Sequence, residues 1–282
     1  MKAPDFAYEQ PDDLASALAL LADEDREIQI LAGGQSLMPM MNFRLAQPEV
    51  LLDLNRVEEL QFISEKEDCL EIGAMTRYAQ LEESALVRDH IPLISRALPF
   101  IAHSAIRNRG TIGGSAALAD PAAEMPAMLI ALDATIVISS LSGQRHVAAN
   151  DFFQGLYETD LGSGELIECI SIPKQQPGSR YGFHELARRH GDYAMAGAVV
   201  TASSIVPFAG LRIAFFAVSD RPLRARTVED VIPDKGLSDE VLPQVNALID
   251  QIDFHGDLNA DERTKNHLAK IVFKRAFEEL SA

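Results

Sequence analysis

Ala32-Gly33-Gly34-Gln35-Ser36 and Thr111-Ile112-Gly113-Gly114-Ser115 are the most informative stretches of this 282-residue sequence, because each places a glycine pair before a serine. Each follows a short apolar run, Ile28 to Leu31 in one case and Ala105-Ile106 in the other. Paired glycines let successive backbone N–H groups point at one place without a Cβ atom in the way, and serine adds a hydroxyl donor. Such a concavity suits phosphate oxygens. Two of them predict one diphosphate held from two sides, although a single glycine pair is more often an ordinary turn.

The charges around both stretches favour an anionic ligand. Two segments contain arginines but no Asp or Glu, in a chain with 42 acidic residues: residues 28–48, with Arg44, and residues 90–119, with Arg96, Arg107 and Arg109. Carboxylates beside a phosphate would repel it, so their absence fits phosphate binding. Residues 134–150 and 197–219 also lack acids, but their apolar, strand-like composition accounts for that.

Composition limits the class of protein and its partners. The chain is 47% hydrophobic, enough to bury a core in two or three compact units. Its formal net charge of −17 argues against nucleic acid or an anionic membrane as a partner, since phosphate contacts need a basic face. No apolar run is long enough for a membrane span, and the N-terminus lacks a signal-peptide core. Cys69 and Cys169 are too few for a disulfide framework or an iron–sulfur cluster, so we expect a reduced, cytoplasmic setting.

Periodicity and capping residues predict two small α/β units in the first 173 residues. The first, residues 1–55, should contain a helix over 11–22 and strands over 27–31 and 50–54, with the first glycine pair at a strand end, where open α/β sheets bind ligands. Thr76 and Asp120 are expected to cap helices. The second unit, residues 56–173, should contain a strand over 70–74, helices over 76–83, 91–103 and 120–132, a hairpin of 134–139 with 145–148, and a strand over 166–172.

The last part of the chain, residues 174–282, has a different pattern. Strands are predicted over 181–187, 194–203 and 211–218, followed by helices over 238–252 and 260–280. The capping box Asn259-Ala260-Asp261-Glu262 should open the second helix. Strands followed by helices indicate a unit of α+β type.

Residues that would perform chemistry in this chain alone are not evident. No G-x-G-x-x-G follows a strand, no Walker lysine follows either glycine pair, and the seven histidines form neither H-E-x-x-H nor a zinc-spaced cluster. Ser36 and Ser115 lie outside any G-x-S-x-G elbow. His190 and Asp192 are a candidate acid–base pair, although neighbouring polar loop residues are more often solvated. We therefore predict no catalytic or metal-binding residues here, and chemistry supplied by a cofactor.

Three runs together resemble one family. A-G-G-Q-S-L-M-P-M-M-N-F-R-L-A-Q-P (32–48) resembles the first FAD loop of the medium, flavin-binding subunit of molybdenum hydroxylases, the group of xanthine dehydrogenases and aerobic carbon monoxide dehydrogenases. T-I-G-G-S-A-A-L-A-D-P-A-A-E-M-P-A (111–127) resembles its second loop, and A-R-R-H-G-D-Y-A-M-A-G (187–197) resembles the segment against the flavin ring. The three runs keep the family's order and spacing, and the likeness extends to about residue 280.

The resemblance implies a set of FAD-binding residues. Glu124 takes the place of a carboxylate, often Asp in the family, that bonds the ribityl or a nearby polar part of FAD; Leu161 and Tyr193 would flank the isoalloxazine ring. From the residues alone, Tyr193 could instead be a half-buried strand aromatic, and Asp120 is interpreted as a helix cap and not a ligand. The residues that would hold the diphosphate are Ala32, Gly33, Gly34, Gln35, Ser36 and Leu37 on one side, and Thr111, Ile112, Gly113, Gly114 and Ser115 on the other.

The resemblance also implies a function, partners and a fold. This chain would be the FAD-carrying electron-transfer subunit, passing electrons from two-iron iron–sulfur clusters in a small subunit to an external acceptor, while the molybdenum cofactor resides in a large subunit. A dimer of heterotrimers is expected. The implied fold class is α+β: two α/β subdomains form a PCMH-type FAD-binding fold, and a C-terminal domain of antiparallel sheet plus helices follows.

Two other functions stay open on the sequence alone. A self-contained FAD-dependent oxidase or reductase on the same fold would need its own substrate-binding domain and a catalytic acid or base, and the last hundred residues offer no obvious one. A non-enzymatic nucleotide-binding protein would need only the glycine pairs. Purification distinguishes the three functions, because it would yield a complex with molybdenum and iron, a lone active flavoprotein, or a colourless protein, respectively. The sequence indicates neither the substrate of the complex nor the electron acceptor.

Overall fold

A computed structural model describes residues 2–205, 207–232 and 236–281 of the chain. The chain opens with a three-stranded parallel sheet, in the order β1-β3-β2, and two helices. Its elements are β1 (Ala7–Glu9), α1 (Leu14–Leu21), β2 (Ile28–Leu31), α2 (Leu37–Asn42) and β3 (Val50–Asp53). Leu31 pairs with Asp53, so the first glycine pair leaves the sheet beside the end of β3.

An antiparallel five-stranded sheet follows, in the order β4-β5-β10-β6-β7. The strands are β4 (Ile63–Glu65), β5 (Cys69–Gly73), β6 (Thr135–Ser140), β7 (Gly143–Ala148) and β10 (Leu166–Pro173), and a small hairpin pairs β8 (Phe153–Gly155) with β9 (Glu158–Thr159). The helices of this part are α3 (Tyr78–Glu83), α4 (Ala85–His90), α5 (Pro92–Ala97), α6 (Ser104–Arg107), α7 (Ile112–Leu118), α8 (Glu124–Ala131) and α9 (Ala149–Phe152). The first glycine pair therefore precedes the short helix α2, whereas the second lies in the first turn of α7.

The third sheet is antiparallel, in the order β11-β12-β15-β16. Its residues alternate between two cores: Val199 faces the core that contains α8, and Val200 faces the core under α12, as expected for a strand covered on both sides. The elements are β11 (Arg180–Ala187), β12 (Ala194–Ala202), β13 (Ser204–Ile205), β14 (Phe208–Ala209), β15 (Arg212–Phe216), β16 (Leu223–Arg224), α10 (Arg226–Glu229), α11 (Leu242–Ile249) and α12 (Glu262–Glu278).

The α+β class predicted from the sequence is confirmed, while several predicted helix ends are wrong. Helix α1 begins at Leu14 and not at residue 11, because Asp13 caps it by accepting a hydrogen bond from the Ser16 N–H at 2.7 Å. The long helix over 91–103 is only α5 and a 3-10 turn at Leu98–Phe100. Thr76 is no helix cap: its hydroxyl donates to the Phe62 carbonyl, and α3 begins two residues later.

In the C-terminal part, α11 is shorter than the predicted helix over 238–252, with Leu242–Ile249 as its bounds. Helix α12 is capped by Asp261, whose side chain accepts a hydrogen bond from the Thr264 N–H at 2.7 Å. The capping box that was predicted to start at Asn259 therefore lies two residues too early. Among residues 2–205, 207–232 and 236–281, no helix combines the length and apolar character needed to cross a bilayer.

Candidate functional site

The first glycine pair forms a turn whose backbone N–H groups have no hydrogen-bond partner among the described residues. Gly34 has a φ of 72°, a backbone conformation that glycine adopts without strain. Ser36 occupies the N-cap position of α2 without a side-chain capping bond. In the described hydrogen bonds, no protein group accepts from the backbone N–H groups of residues 33–37. Five consecutive N–H groups thus lack a protein partner among the described residues, and their binding of an anion stays a prediction.

The second glycine pair is the beginning of a helix rather than a loop, and its donors are already used. The Thr111 hydroxyl accepts from the Gly114 N–H at 3.1 Å, and Gly113 N–H donates to the Ala74 carbonyl at 2.9 Å. Ile112 and Ser115 N–H groups donate to the carbonyls of residues 76 and 111, both at 3.1 Å. The expectation that both pairs present converging N–H groups is therefore wrong for this stretch, which supplies a close backbone surface instead.

The two glycine stretches touch each other. A Cβ atom on Gly33 would lie 2.1 Å from the carbonyl oxygen of Arg109 and 2.9 Å from the Cα of Gly110, so glycine is required for this contact. A Cβ atom on Gly114 would lie 3.3 Å from the Cβ of Ala32. The stretches are 77 residues apart in sequence, counting from Gly33 to Gly110, yet they form one continuous surface.

Two of the four arginines near the glycine stretches are committed to ion pairs. Arg96 pairs with Glu279 at 2.9 Å, and Arg107 pairs with Glu82 at 3.1 Å. Arg44 and Arg109 are exposed and have no ion pair within the part of the chain that the structure describes. These two side chains therefore add free positive charge beside the site.

Glu124 begins α8 and is buried, with 7% of its surface exposed. Burial raises its pKa to about 8, and the negative charge of Glu185 adds to the shift. The pKa of Glu185 is itself raised to about 7 by burial. Both carboxyls therefore hold a proton more tightly than a solvated glutamate does, and a protonated carboxyl can donate a hydrogen bond to a polar ligand.

Tyr193 lies at the far end of α7, where Asp120 follows the helix. It is 61% exposed and stands in the loop before β12, so the alternative of a half-buried strand aromatic is wrong. Burial raises the pKa of Asp120, although hydrogen bonds from the Ala122 N–H and from the phenols of Tyr157 and Tyr193 oppose the shift. Asp120 therefore caps a turn and joins two tyrosines, and the helix-cap interpretation fails, since α8 begins only at Glu124.

Leu161 is partly buried against the core that contains α8, just after β9, which packs on α7. The fold thus arranges the sequence-predicted residues along one helix, with the glycine stretches at its start and Glu124, Leu161 and Tyr193 towards its end. Helix α7 has seven residues and is therefore about 10 Å long at 1.5 Å per residue.

Residues that the sequence did not indicate also belong to this region. Asn55 and Arg77 bond the main chain next to each glycine stretch, and Tyr157 stands beside Tyr193 at Asp120. His190 packs edge-on against Phe100, with ring centroids 5.6 Å apart, and makes no hydrogen bond to Asp192. The described residues contain no group of three or more His, Cys, Asp or Glu side chains that could hold a metal ion.

The family of the chain follows from its similarity to known proteins. Residues 4–175 match the family described as FAD binding domain in molybdopterin dehydrogenase, and residues 181–280 match the CO dehydrogenase flavoprotein C-terminal domain. The 6-hydroxypseudooxynicotine dehydrogenase complex subunit alpha of Paenarthrobacter nicotinovorans is 41% identical over 84% of this chain and 81% of its own length. The glyceraldehyde dehydrogenase medium chain of Sulfolobus acidocaldarius is 36% identical over 100% of both chains.

A solved structure agrees over the whole fold. A chain of carbon monoxide dehydrogenase from Hydrogenophaga pseudoflava, in a form that lacks the Mo-pyranopterin moiety of the molybdenum cofactor, superposes with a TM-score of 0.96. It is 36% identical in sequence, and the match covers 100% of this chain and 99% of that one. This chain therefore belongs to the family of FAD-binding medium subunits of molybdenum hydroxylases.

Proposed function

We propose that the chain holds one FAD, noncovalently, between the two glycine stretches and passes electrons from an iron–sulfur partner to an external acceptor. The observation that carries the proposal is the contact of Gly33 with Arg109 and Gly110, beside five unused N–H groups. A diphosphate needs such donors and close backbone approach on both sides. FAD supplies the redox chemistry when bound, and the protein supplies its position and surroundings.

The proposed roles of the residues follow their surroundings. The N–H groups of residues 33–37, continued from Ala32, bind the diphosphate, and Thr111 to Ser115 close the site from the other side. Glu124 holds a proton at its carboxyl and donates a hydrogen bond to the polar chain of the cofactor. Leu161 and Tyr193 exclude water from the ring system, with the Tyr193 phenol oriented by Asp120.

We propose that the chain acts in a complex with a large molybdenum-binding subunit and a small iron–sulfur subunit, arranged as a dimer of heterotrimers in the cytoplasm. Several relatives carry names of subunits or medium chains of dehydrogenases, which supports a division of labour. The two cysteines are free, and burial raises the pKa of Cys169 to about 12, so this chain offers no thiolate set for a cluster.

We further propose the domain bounds 1–55, 56–173 and 174–282. Each range holds one of the three larger sheets: β10 ends the second of them at residue 173, and the third begins at residue 180. The two glycine stretches then belong to the first and second domains, and the cofactor binds between them. A site at a domain boundary is common for ligands of this size.

Acid precipitation of the purified complex tests this function. We expect one FAD per chain in the supernatant, because no histidine or cysteine lies within either glycine stretch to form a covalent flavin bond. Flavin that stays on the polypeptide would contradict noncovalent binding. Oxidation of an organic substrate at a physiological rate by the metal-free chain alone would contradict the electron-transfer role and indicate a self-contained oxidase.

A further inference from the structure

Asn55 lies between the two glycine stretches and uses its whole side-chain amide. It follows β3, and its Nδ2 atom donates to the carbonyl oxygen of Ala32 at 3.0 Å. The same Nδ2 donates to the Asp53 carboxylate, and the Oδ1 atom accepts from Nη2 of Arg77 at 3.0 Å. Donors and acceptor thus all have partners, which fixes the orientation of the amide.

Arg77 connects Asn55 to the second glycine stretch. While Nη2 bonds Asn55, Nη1 donates to the carbonyl oxygen of Asn108 at 3.0 Å. The backbone of Arg77 forms a bridge with Thr111, and the neighbouring Tyr78 N–H donates to the Gly110 carbonyl at 3.0 Å. The guanidinium fork therefore spans from the end of the first sheet to the chain that leads into α7.

The amide of Asn55 is held in turn by the first sheet. Burial raises the pKa of Asp53, but hydrogen bonds from Tyr8, Asn55 and Gln10 outweigh this effect, and the pKa lies below its usual range. Asp53 is thus ionised near neutral pH and accepts from the backbone N–H of Asn55 at 2.8 Å. Asn55 cannot turn away from Ala32 without breaking bonds to a charged group.

We propose that Asn55 and Arg77 are positioning residues that set the relative placement of the two glycine stretches and thereby the affinity for FAD. The inference rests on the proposed function of the stretches. Neither residue needs to touch the cofactor: Asn55 fixes the carbonyl of Ala32, one residue before the first free N–H, and Arg77 fixes the carbonyl of Asn108, three residues before Thr111. The glycines themselves have no side chains with which to hold this arrangement.

The bridge contributes little to the folded core. Asn55 and Arg77 are half-buried polar side chains outside all three hydrophobic clusters. Their removal costs hydrogen bonds but opens no apolar cavity. We therefore expect their substitutions to weaken FAD binding much more than they lower the stability of the flavin-free chain.

A double-mutant cycle on the full chain in its complex tests the bridge. FAD affinity is measured by titrating FAD into flavin-depleted complex for wild type, Asn55→Ala, Arg77→Ala and the double variant. Each single change should weaken binding by about ten- to a hundredfold, and the double variant by no more than about the larger single effect, because both changes break the same bridge. A double variant whose loss of FAD affinity equals the product of the two single losses would refute the proposed role of the bridge. Single variants that weaken FAD binding by less than twofold would also refute it.

Two further variants separate geometry from charge. Arg77→Lys keeps the charge but loses the planar fork, so it should bind FAD nearly as weakly as Arg77→Ala; binding equal to wild type would show that only charge matters. Arg56→Ala is the matched control, since Arg56 adjoins Asn55, is exposed, and lies 3.7 Å from Asp12. It should bind FAD as wild type does. A wild-type complex that binds no FAD would refute the proposed function itself. Asn55→Ala and Arg77→Ala complexes that bind FAD as tightly as wild type would refute only the inference about the bridge.

Discussion

Replacing Gly33 by alanine should separate the two glycine stretches and release FAD. The new Cβ atom would lie 2.1 Å from the Arg109 carbonyl oxygen, and Cβ contacts under 3.0 Å are essentially never observed. The stretches must therefore move apart by about 0.9 Å, the difference between these distances. Neither partner is the end of a flexible side chain: both are main chain, so the shift passes into the backbone that carries the free N–H groups.

The loss of affinity follows from hydrogen-bond geometry. A shift of this size moves an N–H···O bond of about 2.9 Å beyond bonding distance. Hydrogen bonds to charged groups contribute about 1.5–3 kcal/mol each, so the loss of one costs about that amount. At about 1.4 kcal/mol per factor of ten, the Kd for FAD should rise roughly 10- to 140-fold for each bond lost.

FAD titration followed by flavin absorbance, with circular dichroism of the same samples, measures this effect. Gly256→Ala is the matched control, because its Cβ would lie 3.3 Å or more from all neighbours and it belongs to the C-terminal part of the chain. It should leave the affinity unchanged. A folded Gly33→Ala variant with the affinity of wild type would refute the reasoning, because the close contact would then not determine the site.

Three other perturbations have defined outcomes. Tyr193→Ala in the complex should slow electron transfer to the external acceptor or loosen FAD, while reduction of the molybdenum centre stays unchanged in stopped-flow spectra, since that centre is expected on another chain. The unfolding free energy of the flavin-free chain should fall as pH rises from about 4.5 to about 8, because Glu124 keeps its proton over this range in the folded chain but loses it in the unfolded chain. Urea titrations at several pH values measure this fall, and Glu124→Gln should reduce it. Asp261→Ala should cost about 0.5–2 kcal/mol of unfolding free energy in the same assay, through loss of the α12 cap, and an unchanged midpoint would contradict that role.

Secondary-structure elements with strong local sequence patterns could be predicted from the sequence alone. Three strands of the third sheet, β11, β12 and β15, were predicted with bounds that agree within one or two residues; β12, for example, is a long apolar segment with β-branched residues. The two-residue strand β16 was not predicted. The first glycine pair was correctly placed at a strand end because β2 alternates before it. The second pair was taken for a loop because two glycines in seven residues disfavour a helix, yet Thr111 caps α7 and packing of Gly113 on Ala74 holds it.

Contacts between distant segments could not be predicted. Asn55 and Arg77 bond main-chain carbonyls 23 and 31 residues away, and no local spacing encodes such partners. Asp120 was assigned to a helix because an Asp-Pro pair often begins one. Its phenol partners, Tyr157 and Tyr193, come from two other loops and are adjacent only in the folded chain.

An experimental structure of the FAD-loaded complex tests the central claim most directly, through the positions of the diphosphate oxygens. We predict that they lie within hydrogen-bond distance, about 2.7–3.2 Å, of backbone N–H groups among residues 33–37, with Gly114 facing them from the other side. A diphosphate bound elsewhere, or a complex whose flavin resides on another subunit, would contradict the account.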